Sequence, residues 1–227
     1  MAVVLVTGAN RGIGLEFVRQ YAADGWKVVA TCRRKKKAGD LEQVNGDVTV
    51  HELEVTDPKS VAALVAAVNG SPVDVLINNA GVYLDRGDEL GELDFDKWSQ
   101  SFDVNAIGPM RLTEALLPRV ASSKRKLMVF MSTQMASIAD NAGGRAYAYR
   151  ASKAGLNAAV HSMSIDLKPQ GIACLLLHPG WVKTEMGGKN ATLDVRDSVH
   201  GMRRVIEGFT LDRTGSFLRH NGEAIPW

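Results

Sequence analysis

Short apolar runs with no polar alternation recur along the chain, separated by stretches whose apolar positions return every three to four residues. Residues 2–6 (AVVLV) are the first such run. A strand with no polar face is one covered on both sides, the condition of a strand inside a parallel sheet. After Gly12 and Gly14, the apolar residues Ile13, Phe17, Val18 and Tyr21 fall at near-helical spacing up to Asp24-Gly25. A glycine there can take the left-handed conformation that stops a helix. Strand-like runs return at residues 27–32, 48–53, 73–77, 127–131, 172–177 and 215–218, and helical patterns at 58–68, 96–120, 149–167 and 195–208. Strands alternating with helices, joined by right-handed crossovers, predict an α/β fold: one doubly wound parallel sheet of about seven strands with helices on both faces.

Composition narrows the class. The chain has 227 residues, 45% hydrophobic and 23% charged, which suits a globular protein with a full core and excludes disordered or fibrous readings. No Pro/Gly/Ser-rich linker, repeat or low-complexity tract divides it, so residues 1–227 are read as a single domain. Lys and Arg number 27 against 25 Asp and Glu, a formal charge of +2. That balance argues against nucleic acid as a partner, because such affinity rests on neutralising phosphates. Cys32 and Cys174 lie in apolar runs, as reduced core thiols do. No run approaches the length that spans a bilayer and no leader-like segment opens the sequence. The expectation is a cytoplasmic protein with no membrane partner.

Thr7-Gly8-Ala9-Asn10-Arg11-Gly12-Ile13-Gly14 stands where the first strand turns into the first helix. Glycines at such a turn let the backbone approach a pyrophosphate at the helix N-terminus, the arrangement of a Rossmann-type sheet. The spacing is G-x-x-x-G-x-G, not the common G-x-G-x-x-G. An acid about twenty residues past the glycines would hold a ribose 2′-hydroxyl, whereas Arg there accommodates a 2′-phosphate. The second strand ends Thr31-Cys32-Arg33-Arg34 with no acid before Asp40, and Arg11 adds a second cation from the loop. Two planar guanidiniums suit a dianionic phosphate, so NADP(H) is the expected cofactor.

Tyr149 and Lys153 sit four apart at the start of a predicted helix, hence on one face. An ammonium beside a phenol favours the phenolate and lowers its pKa toward the range useful for proton transfer to a carbonyl oxygen.

With these residues in view, the chain resembles the short-chain dehydrogenase/reductase family from residue 2 to its end. The match rests on the TGANRGIG loop, Asn78-Asn79-Ala80-Gly81 after the fourth strand, Asn105, Tyr149 with Lys153, and Pro179-Gly180 with Thr184. Within the family, YAYRASKAGLNAA and LHPGWVKTEMGG are most similar to the Sniffer-type carbonyl reductase and C-factor group. The resemblance implies that Gly8, Asn10, Arg11, Gly12, Ile13, Gly14 and Arg33 bind the coenzyme. It places Glu54 and Val55 at the adenine, Asn79, Ala80 and Gly81 at the adenosine ribose, and Pro179, Gly180, Val182 and Thr184 at the carboxamide. Lys153 would bind the nicotinamide ribose and lower the Tyr149 pKa, Tyr149 would exchange a proton with the substrate, and Asn105 would hold a water in a relay to Lys153.

One position departs from the family pattern. Its catalytic Ser is usually the second of a Ser-Ser pair, but the run here is Met131-Ser132-Thr133-Gln134. Thr133 has the needed hydroxyl with a stiffer χ1, and Ser132 is the fallback, pointing to the opposite strand face. The five histidines have no metal-ligand spacing, so no metal is assigned. The implied activity is interconversion of a small-molecule carbonyl, aldehyde or ketone, with its alcohol. A nucleotide-binding protein with a signalling or regulatory role is the alternative. Trp98, Phe102, Leu112, Leu116, Leu156 and Met163 exceed what one sheet face needs, and the surplus predicts a homodimer or homotetramer.

Overall fold

A computed structural model describes residues 1–68 and 70–227, with the side chain of Lys37 outside the description. Seven strands form one sheet: β1 Val3–Val6, β2 Lys27–Cys32, β3 Val48–Glu52, β4 Val75–Asn78, β5 Leu127–Met131, β6 Ala173–His178 and β7 Ser216–Arg219. Their order is β3-β2-β1-β4-β5-β6-β7 and every neighbouring pair is parallel. The chain therefore starts at the centre, winds to one edge, then crosses back and winds to the other. The switch lies between β1 and β4, and the crevice at their carboxyl ends is where such sheets bind ligands.

The unbroken apolar runs are explained by burial on both faces. Along β1, Val4 and Val6 join the core under helices α1 (Gly12–Ala23) and α6 (Val195–Glu207), which contribute Phe17, Val18, Met202 and Ile206. Val3 and Leu5 face the opposite core, under α2 (Pro58–Ala67), α4 (Gly108–Ala121) and α5 (Tyr147–Leu167). Period-2 geometry divides one hydrophobic strand between two layers.

The structure corrects two expectations. The stretch predicted as one helix over 96–120 is α3 (Phe95–Phe102), a π turn at Asp103–Ile107, then α4. Pro109 has no N–H to give the carbonyl of Asn105, its partner four back in a regular helix, and the Gly108 N–H bonds Asp103 O, five back. The side chains offered as a surplus for assembly are also largely spent: Leu112, Leu116, Leu156 and Met163 lie in the chain's own core. Their apolar character answers to the sheet beneath them.

Candidate active site

Gly8 and Gly12 both take positive φ, +62° and +53°, which L side chains rarely adopt. Gly14 is required by packing, because a Cβ there would stand 2.3 Å from the Gly8 carbonyl oxygen. The loop is tied to the end of β4. Thr7 Oγ1 accepts the N–H groups of Asn79 and Ala80, both at 2.9 Å, and Asn79 Nδ2 donates to the carbonyls of Thr7 (2.8 Å) and Gly8 (3.2 Å). The Asn79 amide, expected at the adenosine ribose, is thus committed to shaping the glycine loop. Helix α1 opens at Arg11 with no side-chain cap among the described residues and no acid in its first turn. Its first N–H groups are left to an anion.

Arg33 and Arg34 are exposed at the end of β2. Arg11, expected to converge with Arg33, instead pairs with Glu185 at 3.0 Å. Glu54 accepts the Thr56 N–H and hydroxyl, while Arg111 donates to the carbonyls of Val55 and Thr56 at 3.0 and 3.1 Å. On the far side of the crevice, Ser198 Oγ donates to Pro179 O at 2.6 Å, and Gly180 (φ +86°) lies against Leu193 and His220. Val182 pairs with Leu193, and the Thr184 side chain touches Gly12. The coenzyme-side turns therefore close a ring around the carboxyl ends of β1 and β6.

The second half of the site is buried. The Tyr149 ring stacks on Tyr83 with centroids 4.4 Å apart, and the Thr133 hydroxyl hydrogen-bonds the phenol. Thr133 Oγ1 also accepts the Met135 N–H at 3.2 Å. Ser132 points the other way and donates to Asn157 Oδ1 at 2.6 Å. Strand alternation thus puts Thr133, not Ser132, beside Tyr149. Lys153 is buried and donates to Met131 O at 2.8 Å. Asn105 Oδ1 accepts the Val82 N–H, and Nδ2 donates to Val82 O and Ser152 Oγ, all within 2.9–3.0 Å. Gly81 separates the two: a Cβ on it would lie 3.2 Å from Asn105 Oδ1 and 3.5 Å from Lys153 Nζ. Both Asn105 amide donors are consumed, so a role in holding water falls to its main chain.

The titration of the pair differs from the expected direction. Burial pushes Tyr149 up to about 12, opposed by the Thr133 hydrogen bond, and burial pulls Lys153 down to about 8. Desolvation of both charged forms outweighs any attraction between them. Among the described residues no group of three His, Cys, Asp or Glu is placed to hold a metal ion, and no helix is long and apolar enough to cross a membrane.

The short chain dehydrogenase family model matches residues 2–193. The chain belongs to this family. C-signal of Myxococcus xanthus is 47% identical over 165 residues, 73% of this chain and 99% of the relative. The 1-hydroxy-2-glutathionyl-2-methyl-3-butene dehydrogenase of Rhodococcus sp. (strain AD45) is 32% identical over the whole of both chains. Among solved structures, NADPH-bound carbonyl reductase from chicken fatty liver superposes with a TM-score of 0.92 at 35% identity over all of both chains. Carbonyl reductase Sniffer of D. melanogaster gives 0.93 at 31%, over all of this chain and 99% of that one.

Two residues of this family member's site escaped the sequence. Tyr83 and Arg111 reach Tyr149 and Val55 across more than fifty residues of chain, and no spacing rule encodes such contacts.

Proposed function

We propose that this chain is an NADP(H)-dependent carbonyl reductase that interconverts an aldehyde or ketone with its alcohol, Tyr149 acting as acid and base. The observation that carries this reading is the buried Tyr149 phenol bonded to Thr133, with Lys153 one turn along the same helix. Gly8, Asn10, Arg11, Gly12, Ile13 and Gly14 frame the uncapped start of α1, a cradle that a Cβ at Gly14 would fill, and would hold the pyrophosphate. Arg33 and Arg34, exposed where no acid stands, would take the 2′-phosphate. The solved relative that carries NADPH supports the same choice. Glu54 and Val55, Ala80 and Gly81, and Pro179, Gly180, Val182 and Thr184 would line the remaining length of the coenzyme. Bound there, the coenzyme supplies the hydride.

The protein's part is proton chemistry. A phenol near 12 stays protonated at neutral pH, the form that donates to a carbonyl oxygen. Thr133 donates to the same oxygen and stabilises the charge that develops on it. Lys153, near 8, gives and takes protons at neutral pH and would resupply Tyr149. Asn105 fixes Val82 and Ser152 around this route. The exposed Trp181 and Met186 would form an apolar wall for the substrate.

Screening aldehydes, ketones and quinones for NADPH consumption at the nicotinamide absorbance tests the reading. Turnover faster with NADPH than with NADH is expected. Tight NADPH binding with no turnover on any carbonyl would instead favour the signalling role that the similarity to C-signal suggests. We also infer a cytoplasmic location, supported by two buried free thiols, and a homo-oligomer formed through the α3 face, where Phe95 and Ile107 remain exposed. A monomer mass by light scattering at micromolar concentration would reject that assembly.

A further inference from the structure

We propose that Asp85, on the loop after β4, is a positioning residue for Tyr149, serving as the cap that helix α5 does not carry itself. The inference rests on Tyr149 being the proton donor. Gly144, Arg145 and Ala146 all take left-handed φ, +59°, +56° and +50°, immediately before α5 begins at Tyr147. Ala146 occupies the cap position and has no side-chain oxygen to offer the first N–H groups. Asp85 offers two, from sixty residues away and with only 2% of its surface exposed. Its Oδ2 accepts the Ala148 N–H at 2.7 Å, and the Tyr149 N–H points at both oxygens, 3.3 and 3.4 Å away. A carboxylate at the positive end of a helix is favoured by the aligned peptide dipoles.

The flanking residues tighten the same grip. Tyr83 stacks on the Tyr149 ring, and Arg86 lies over the Tyr83 ring at 4.7 Å while donating to the Met186 carbonyl. One run of four residues thus holds the backbone of Tyr149, its ring, and the segment that follows β6. A displaced catalytic group can cost about a hundredfold in rate, so this fixing has kinetic consequences.

The charges around Tyr149 make the test selective. Tyr83, Asp85 and Arg86 face it from the loop, with the Lys97–Asp88 pair behind them. Arg150 and Lys153 come from α5, and β5 ends in the neutral Thr133. Asp85 raises the Tyr149 pKa while Arg86 lowers it. Asn at position 85 keeps an acceptor oxygen and removes the charge, which separates placement from electrostatics.

The experiment compares Asp85→Ala and Asp85→Asn in the full chain, by amide hydrogen exchange and by the pH profile of NADPH-dependent reduction. Asp85→Ala is expected to speed exchange at Ala148 and Tyr149 at least tenfold. It should cut kcat roughly ten- to a hundredfold with KM for NADPH unchanged. Asp85→Asn should restore protection and most of kcat, and move the alkaline limb of the profile to lower pH. Wild-type exchange at both amides in Asp85→Ala, or an Asp85→Asn profile superimposed on wild type, overturns the proposal. If the Ala variant fails to fold, the Asn profile decides alone. Full activity in Tyr149→Phe would remove the proton-donor reading instead, leaving exchange at Ala148 and Tyr149 to judge the cap on its own.

Discussion

The crevice has two halves built on opposite plans. At the carboxyl ends of β1 and β2, the cations Arg11, Arg33 and Arg34 are exposed, and the backbone is shaped by glycines and by one asparagine that spends its amide on the loop. At the ends of β4 and β5, the polar groups Asn105, Thr133, Tyr149, Ser152 and Lys153 are buried, each with a hydrogen-bond partner. A charged ligand can be read by exposed guanidiniums, because it brings its own charge and leaves with it. Proton transfer to a carbonyl needs donors already fixed where charge will develop, and burial both fixes them and strengthens their fields. The buried half should therefore respond to substitution in rate, and the exposed half in coenzyme affinity.

Tyr149→Phe should break the buried half most severely. It removes one hydroxyl and keeps the stack on Tyr83, so NADPH affinity should hold while turnover falls by roughly 10²- to 10⁴-fold. Undiminished turnover would contradict the division. Thr133→Ala comes next, with an expected loss of roughly 10- to 100-fold in kcat and recovery in Thr133→Ser. Ser132→Ala should behave differently, because its hydroxyl donates to Asn157 inside the core. Losing that bond should cost about 1–3 kcal/mol in denaturant stability, with kcat near wild type. An inactive but stable Ser132→Ala would exchange the two roles.

The contrast also explains what could be read from the residues alone. Strand and helix positions followed from burial periodicity, and the shift of α5 to start at Tyr147 altered no assignment. The choice of Thr133 over Ser132 was legible because strand alternation is local. What stayed hidden is non-local or desolvation-driven. The π turn at Asp103–Ile107 was signalled only by Pro109, and the Arg11–Glu185 pair joins residues remote in sequence. The Tyr149 pKa moved opposite to expectation because spacing reports a neighbour's charge but not the loss of water around both groups.

Burial of Lys153 should also appear in stability. Its pKa near 8 in the folded chain lies below the ordinary 10.5, so between those values the unfolded state binds more protons. Stability in the absence of coenzyme should then rise with pH from about 8 to about 10, by roughly 2 kcal/mol on linkage. Above 10 the elevated Tyr149 works in the opposite sense, since the folded state then holds the extra proton. Urea unfolding of wild type and Lys153→Met at pH 7.5 and 9.5, both chosen as roughly bracketing that window, checks it. Equal slopes in the two proteins would refute the burial argument.

In the exposed half, Arg33→Ala should weaken NADPH binding about tenfold while sparing NADH, because one charge-assisted contact to the 2′-phosphate is lost. Kd values for the two coenzymes, measured at low and high salt, give the answer. Loss of NADH affinity to the same extent would place Arg33 outside the phosphate site.

Glu185→Gln should have the smallest effect. The Arg11–Glu185 pair has side chains 68% and 78% exposed, so water and salt screen it and its worth is within about 1 kcal/mol. If Arg11 takes the 2′-phosphate, it must leave Glu185 to do so. Removing the carboxylate frees the guanidinium in advance and removes a negative charge from the path of a dianion. NADPH affinity should then rise two- to threefold, roughly the factor that a few tenths of a kcal/mol provides, with NADH affinity unmoved. The gain should shrink as salt rises, since the competing attraction is itself screened. A matched gain for both coenzymes would mean that Glu185 acts on the shared pyrophosphate. No gain at low salt would mean that Arg11 stays with Glu185, leaving the phosphate to Arg33 and Arg34.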